Sequence, residues 1–96
     1  SNSWGGGQFT DIEKQAIDDA KAMGCTIVFS AGNSNFSPVK YPARYPETIA
    51  VGAMSPCGER TNHDSCDGEW FWGSNYGPNL NVMAPGVMIP TCDITG

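Results

Sequence analysis

The sequence predicts an α/β fold built on a mostly parallel sheet. Three observations carry that expectation: an amphipathic helical stretch ends at a glycine, a continuous apolar run follows at once, and a second apolar run follows a turn-rich loop. Strands buried on both faces read as unbroken apolar stretches, and helices packed on the sheet are what bury them. At 96 residues the chain fits at most one small domain.

Residues 10–23 read as the helix. Thr10 caps it, and Glu13, three residues later, completes a capping box. Asp11 and Glu13 fall in the first turn, where the helix dipole favours negative charge. Ile12, Ala16, Ile17, Ala20 and Met23 recur at helical spacing as one apolar stripe, and Gly24 supplies the stop. The run Cys25-Thr26-Ile27-Val28-Phe29-Ser30 is expected as the first buried strand and Thr48-Ile49-Ala50-Val51-Gly52-Ala53 as the second. Leu80-Asn81-Val82-Met83 is a shorter third. Ile89-Pro90-Thr91 is expected as a fourth, at an edge because proline cannot donate to a ladder. Loops over residues 32–46 and 55–78 join them, and the second is long enough to suggest a function or a staple. A sheet buried on both faces needs more strands, and a second layer of helices, than this chain supplies.

Composition narrows the partners. Formal charge is −5, hydrophobic residues make up 40%, and 12 glycines with 7 prolines mark a globular chain rich in turns. The five Lys and Arg are scattered singly, with no basic stripe to neutralise phosphates, so no nucleic-acid partner is expected. No apolar run approaches the ~18 residues a bilayer requires, so no membrane partner is expected. No basic segment followed by an apolar stretch opens the chain, and an internal piece of a longer chain would show none.

Four segments occur in the order found in subtilisin-like serine proteases (subtilases). They are Ser3-Trp4-Gly5; Ser30-Ala31-Gly32-Asn33; Tyr41-Pro42-Ala43-Arg44-Tyr45-Pro46, leading into Ile49-Ala50-Val51-Gly52-Ala53; and Ser74-Asn75-Tyr76-Gly77, leading into Met83-Ala84-Pro85-Gly86-Val87. Each alone is weak, but four in order with compatible spacing are specific. The resemblance covers nearly the whole chain. It implies a partial three-layer subtilisin-like fold, a single partial catalytic domain over residues 1–96, and an inserted loop at about residues 55–73. It also implies that the family's catalytic Asp and His precede this stretch and its nucleophilic Ser follows it. The function it implies is therefore a portion of a secreted serine endopeptidase acting on peptide or protein substrates, inactive as an isolated chain. A stand-alone, non-catalytic module that binds peptides or oligomerises is the second reading.

The resemblance also assigns roles. Asn33 matches the asparagine whose side-chain amide faces the oxygen that becomes negative during acyl transfer. Such donors act because they are aimed beforehand at charge present only in the transition state. Removing one lowers turnover by about 10²–10³ in subtilisin itself. Ser30, Ala31 and Gly32 lead up to it. Ser3-Trp4-Gly5 looks like the segment that pairs with substrate by strand addition. Tyr41–Pro42 matches a place where the family often has a cis proline. Ala43, Tyr45 and Thr48 match positions whose backbone carbonyls hold a weak cation, and carbonyl oxygens suit a hard ion such as calcium.

The cysteines differ in setting. Cys57 and Cys66 bracket a polar loop, and a disulfide closing it would contribute about 2.7 kcal/mol in the chain-entropy picture. Such a bridge suits a secreted protein. Zinc is the alternative, held by Cys57, His63 and Cys66 with Cys92 or Asp64, although the spacing is not a paired C-x-x-C form. Cys25, opening a buried strand, reads as a small core thiol and Cys92 as unpaired. His63 reads as a solvated loop residue. Glu69-Trp70-Phe71-Trp72 reads as packing for the long loop, with a partner surface as the alternative. Apolar strands lacking cover should make the isolated chain self-associate.

Overall fold

The computed structural model describes residues 1–94. Helix α1 spans Asp11–Ala22 and is followed by three strands, β1 (Val28–Ser30), β2 (Ile49–Met54) and β3 (Val82–Pro85). They form one parallel sheet in the order β1-β2-β3. Val28 lies beside Ile49 and Val51 beside Val82. The amino-terminal segment extends the sheet by one residue: Asn2 donates to the Val28 carbonyl at 2.9 Å and accepts from the Ser30 N–H at 3.0 Å.

α1 starts and stops for local reasons. The Thr10 hydroxyl accepts from the Glu13 N–H at 3.2 Å. Glu13 does not complete the expected box, because the Thr10 N–H donates to the Tyr45 phenol at 3.1 Å instead. At the other end Gly24 takes φ +90°, with Cys25 N–H reaching Ala20 and Gly24 N–H reaching Lys21. That paired return is a Schellman stop, and glycine adopts its left-handed backbone without a Cβ penalty. Lys14 ties the helix to the approach of β2 by bridging Asp18 at 2.8 Å and Glu47 at 2.9 Å.

One core cluster joins Ile17 of α1 to Phe29 and Ala31 of the β1 region, to Val39, Ala43 and Tyr45 of the following loop, and to Ala50 of β2. The apolar stripe of α1 is only partly used. Ile17 is buried, whereas Ile12 is 87% and Met23 85% exposed. The chain measures 40 × 34 × 19 Å with a radius of gyration of 14.5 Å. A compact domain of this length has about 13 Å, so the molecule is flat, and 19 Å is the thickness of roughly two packed layers.

Three expectations need correction. Cys25 is exposed rather than buried, because the Schellman turn occupies it and the strand begins only at Val28. The third strand lies two residues later than its apolar pattern suggested, because Asn81 uses its side chain and N–H to bond Ala50 at 2.7 and 3.1 Å before the ladder begins. Ile89-Pro90-Thr91 forms no strand, and all three residues are exposed.

Candidate functional site

β1 ends at Ser30, and the chain then turns away through residues 31–36. At this carboxyl end of a parallel strand, where open α/β sheets place their sites, lies a cleft of about 370 Å³. Its walls include Ser3, Trp4 and Gly5 from the amino-terminal segment, Ala31 and Gly32 from the turn, and Asn33. The structure thus brings the Ser3-Trp4-Gly5 and Ser30-Ala31-Gly32-Asn33 segments to one cavity. Trp4 packs edge-on against Phe29, with ring centres 5.1 Å apart, which fixes that wall to β1. Beyond Gly5, the Gly6 and Gly7 N–H groups both donate to the Tyr41 carbonyl at 3.2 Å.

Asn33 is exposed on this cleft, and the hydrogen bonds that shape its loop are made by its neighbours. Asn75 makes most of them. Its side-chain amide is buried, donates to the Ala31 carbonyl at 3.0 Å, and accepts from the Ser34 and Phe36 N–H groups at 3.0 Å each. Its backbone N–H donates to the Gly32 carbonyl at 2.8 Å. Gly32 has φ +103°, and a Cβ there would lie 2.5 Å from the Asn75 amide nitrogen. Glycine is therefore required both by backbone conformation and by the closeness of Asn75. Arg60 braces the same loop from outside: one guanidinium nitrogen lies 2.6 Å from Asn35 Oδ1 and 2.6 Å from the Ser74 carbonyl, above the Tyr76 ring. Sequence reasoning noted the Ser74-Asn75-Tyr76-Gly77 segment but not that its asparagine is the tie. An asparagine in a turn-rich stretch reads as local turn chemistry, and nothing in spacing announces a partner 44 positions away.

Tyr41–Pro42 is cis, as is Ser37–Pro38. Ala43, Tyr45 and Thr48 are buried together. The Thr48 hydroxyl lies 2.8 Å from the Tyr45 carbonyl, 3.1 Å from that of Ala43 and 3.3 Å from that of Pro42. Tyr45's carbonyl also accepts the Thr48 N–H at 3.1 Å. Among the described residues no group of three His, Cys, Asp or Glu side chains is placed to hold a metal.

Cys57 and Cys66 are joined, with Cα atoms 6.4 Å apart. Cys25 and Cys92 are free and exposed. His63, inside the bridged loop, is exposed and lines no wall of the cleft. In the same loop the Ser65 hydroxyl, and after it the Glu69 N–H, hold the Asp67 carboxyl below the usual carboxylate range. The aromatic group divides. Trp72 is half-buried and donates to Glu69 at 2.5 Å, whereas Trp70 is 72% and Phe71 66% exposed, so packing accounts for Trp72 alone. Among the described residues no helix is long and apolar enough to cross a membrane.

Comparison with known proteins agrees with this geometry. Subtilisin from Bacillus pumilus is 37% identical over 91 residues, covering 91% of this chain and 30% of that protein. Subtilisin DY from Bacillus licheniformis is 38% identical over the same span, with the same coverage. Subtilisin BL from Lederbergia lenta is 36% identical over 76 residues, which is 79% of this chain and 24% of that protein. The chain thus spans under a third of the length of these relatives. The crystal structure of the psychrophilic subtilisin-like protease Apa1 from the Antarctic psychrotroph Pseudoalteromonas sp. AS-11 superposes with a TM-score of 0.70 at 26% identity, over 88% of this chain and 17% of that one. The Subtilase family profile matches residues 1–95, and the chain belongs to that family.

Proposed function

We propose that this chain supplies the oxyanion-hole donor and part of the substrate-binding cleft of a secreted serine endopeptidase whose nucleophile, base and orienting carboxylate lie on other segments. The observation that carries this reading is Asn33, exposed at the carboxyl end of β1 on a cleft shared with Trp4 and Gly5. Asn75 already engages the polar groups on either side of it, which leaves the Asn33 amide for a ligand.

During acyl transfer the attacked carbonyl oxygen gains negative charge. A donor held in place before the reaction stabilises that charge without reorganising. The ties from Asn75 and Arg60 do the holding, and the substrate backbone runs along Ser3-Trp4-Gly5 by strand addition. Ser30, Ala31 and Gly32 are small enough to let it approach. The Cys57–Cys66 bridge accords with an oxidising compartment and hence with secretion. The exposed Ile12 and Met23 of α1 accord with self-association of the isolated chain.

The test compares the 96-residue chain with the complete protein, using a peptide anilide and a fluorophosphonate probe. The chain alone should neither cleave nor be labelled, because acyl transfer needs a nucleophile activated by an adjacent, oriented base. The complete protein should do both. Labelling of any serine within the isolated chain, or a complete protein inert to both reagents, would overturn the reading.

A further inference from the structure

The chain carries 10 acidic side chains against 5 basic ones, yet no carboxylate lines the cleft beside Asn33 or the neighbouring one of about 280 Å³. Lys40 is the one charged residue on the first cleft. It lines the second as well, where Arg44 joins it. Lys40 is exposed, and the ion pairs among the described residues engage Lys14 instead. Its ammonium sits 5.6 Å from the centre of the Phe36 ring. The backbone on either side is anchored: Val39 is fully buried, and the Tyr41 carbonyl holds Gly6 and Gly7. An acidic chain has therefore kept its carboxylates off both clefts and set between them a lysine that no carboxylate pairs, its ammonium beside Phe36 of the second. The lining of the first cleft also includes Gly5, Gly6, Ala31 and Gly32, small residues that leave room for a side chain.

We propose that Lys40 determines specificity and that the cleft takes an acidic side chain, Asp or Glu, of a peptide substrate. This rests on the oxyanion reading of Asn33 for its register. Asn33 and Lys40 line one cleft, so on that reading the acidic side chain is assigned to the residue whose carbonyl oxygen meets Asn33, the one that immediately precedes the cleaved bond. An ammonium–carboxylate contact in a solvated cleft favours the charged ligand over its neutral isostere by about 3–10-fold, and salt weakens it.

The test has two arms. In the complete protein, peptide anilides differing only in Glu, Gln or Lys before the scissile bond should be cleaved in that order of kcat/KM. Glu should exceed Gln by about 3–10-fold at low salt. Lys40→Met should remove the Glu advantage and Lys40→Glu should invert it toward the Lys substrate. In the isolated chain, calorimetric titration with the corresponding peptides, amidated so that the side-chain carboxylate is their only anion, should give the same ranking of Kd and the same loss in Lys40→Met. A Glu-to-Gln ratio at or below one, or a ratio untouched by Lys40→Met, overturns the proposal. If the complete protein cleaves none of the three, the Asn33 reading fails, and the titration alone decides the charge preference.

Discussion

The loop over residues 31–36 and helix α1 are both bordered by the same small core, yet they are held in different ways. The loop is tied from afar: Asn75 reaches back 44 positions to Ala31, and Arg60 reaches 25 positions to Asn35. α1 is held by its own caps, by Ile17 and by the Lys14 bridges to Asp18 and Glu47, while Ile12 and Met23 face solvent. The difference separates two kinds of incompleteness. The loop that borders the cleft is tied by contacts within this chain. The outer surface of α1 carries apolar residues that nothing among the described residues covers.

Removing the long-range tie should have the largest effect on stability. Asn75→Ala strips three side-chain hydrogen bonds from the loop, and at about 1 kcal/mol each the loss should reach about 3 kcal/mol in urea unfolding. A loss below about 1 kcal/mol would mean that the loop is held by its own turns and that the contrast with α1 is false. Reduction of Cys57–Cys66 comes next, at about 2.7 kcal/mol in the chain-entropy picture. Hydrogen exchange should then rise within residues 57–66 while the loop over 31–36 stays protected.

Thr48→Val sharpens the comparison at the core both regions share. It removes a buried hydroxyl set among the carbonyls of Tyr45, Ala43 and Pro42. The expected loss is about 1.5 kcal/mol, read from the denaturation midpoint. The smallest stability effect should come from Ile12→Lys, which alters an exposed helix position and should shift stability by less than about 0.5 kcal/mol. Light scattering should nonetheless show less self-association than in the parent chain. A clean monomer in both, across a wide concentration range, would remove the case that α1 lacks its cover.

What was legible in the sequence follows the same division. Local signals worked where structure is local. Thr10 capping Glu13, the Gly24 stop and the apolar runs placed α1, β1 and β2, and the order of the motifs placed Asn33 at the end of a strand. Signals failed where a distant partner decides. Cys25 looked like core because an apolar run follows it, but the Schellman turn claims it. β3 begins late because Asn81 first bonds Ala50. Asn75 and Arg60 are invisible as ties because turn composition hides long-range hydrogen bonds.

The most direct measurement is steady-state kinetics of Asn33→Ala in the complete protein on a peptide anilide, with folding checked by the unfolding midpoint. The account predicts that kcat falls by about 10²–10³, the loss subtilisin shows when this kind of donor is removed. KM should change little, because the interaction exists in the transition state and not in the ground state. A folded Asn33→Ala protein with unchanged kcat would contradict the assignment of Asn33 and with it the role proposed for the cleft.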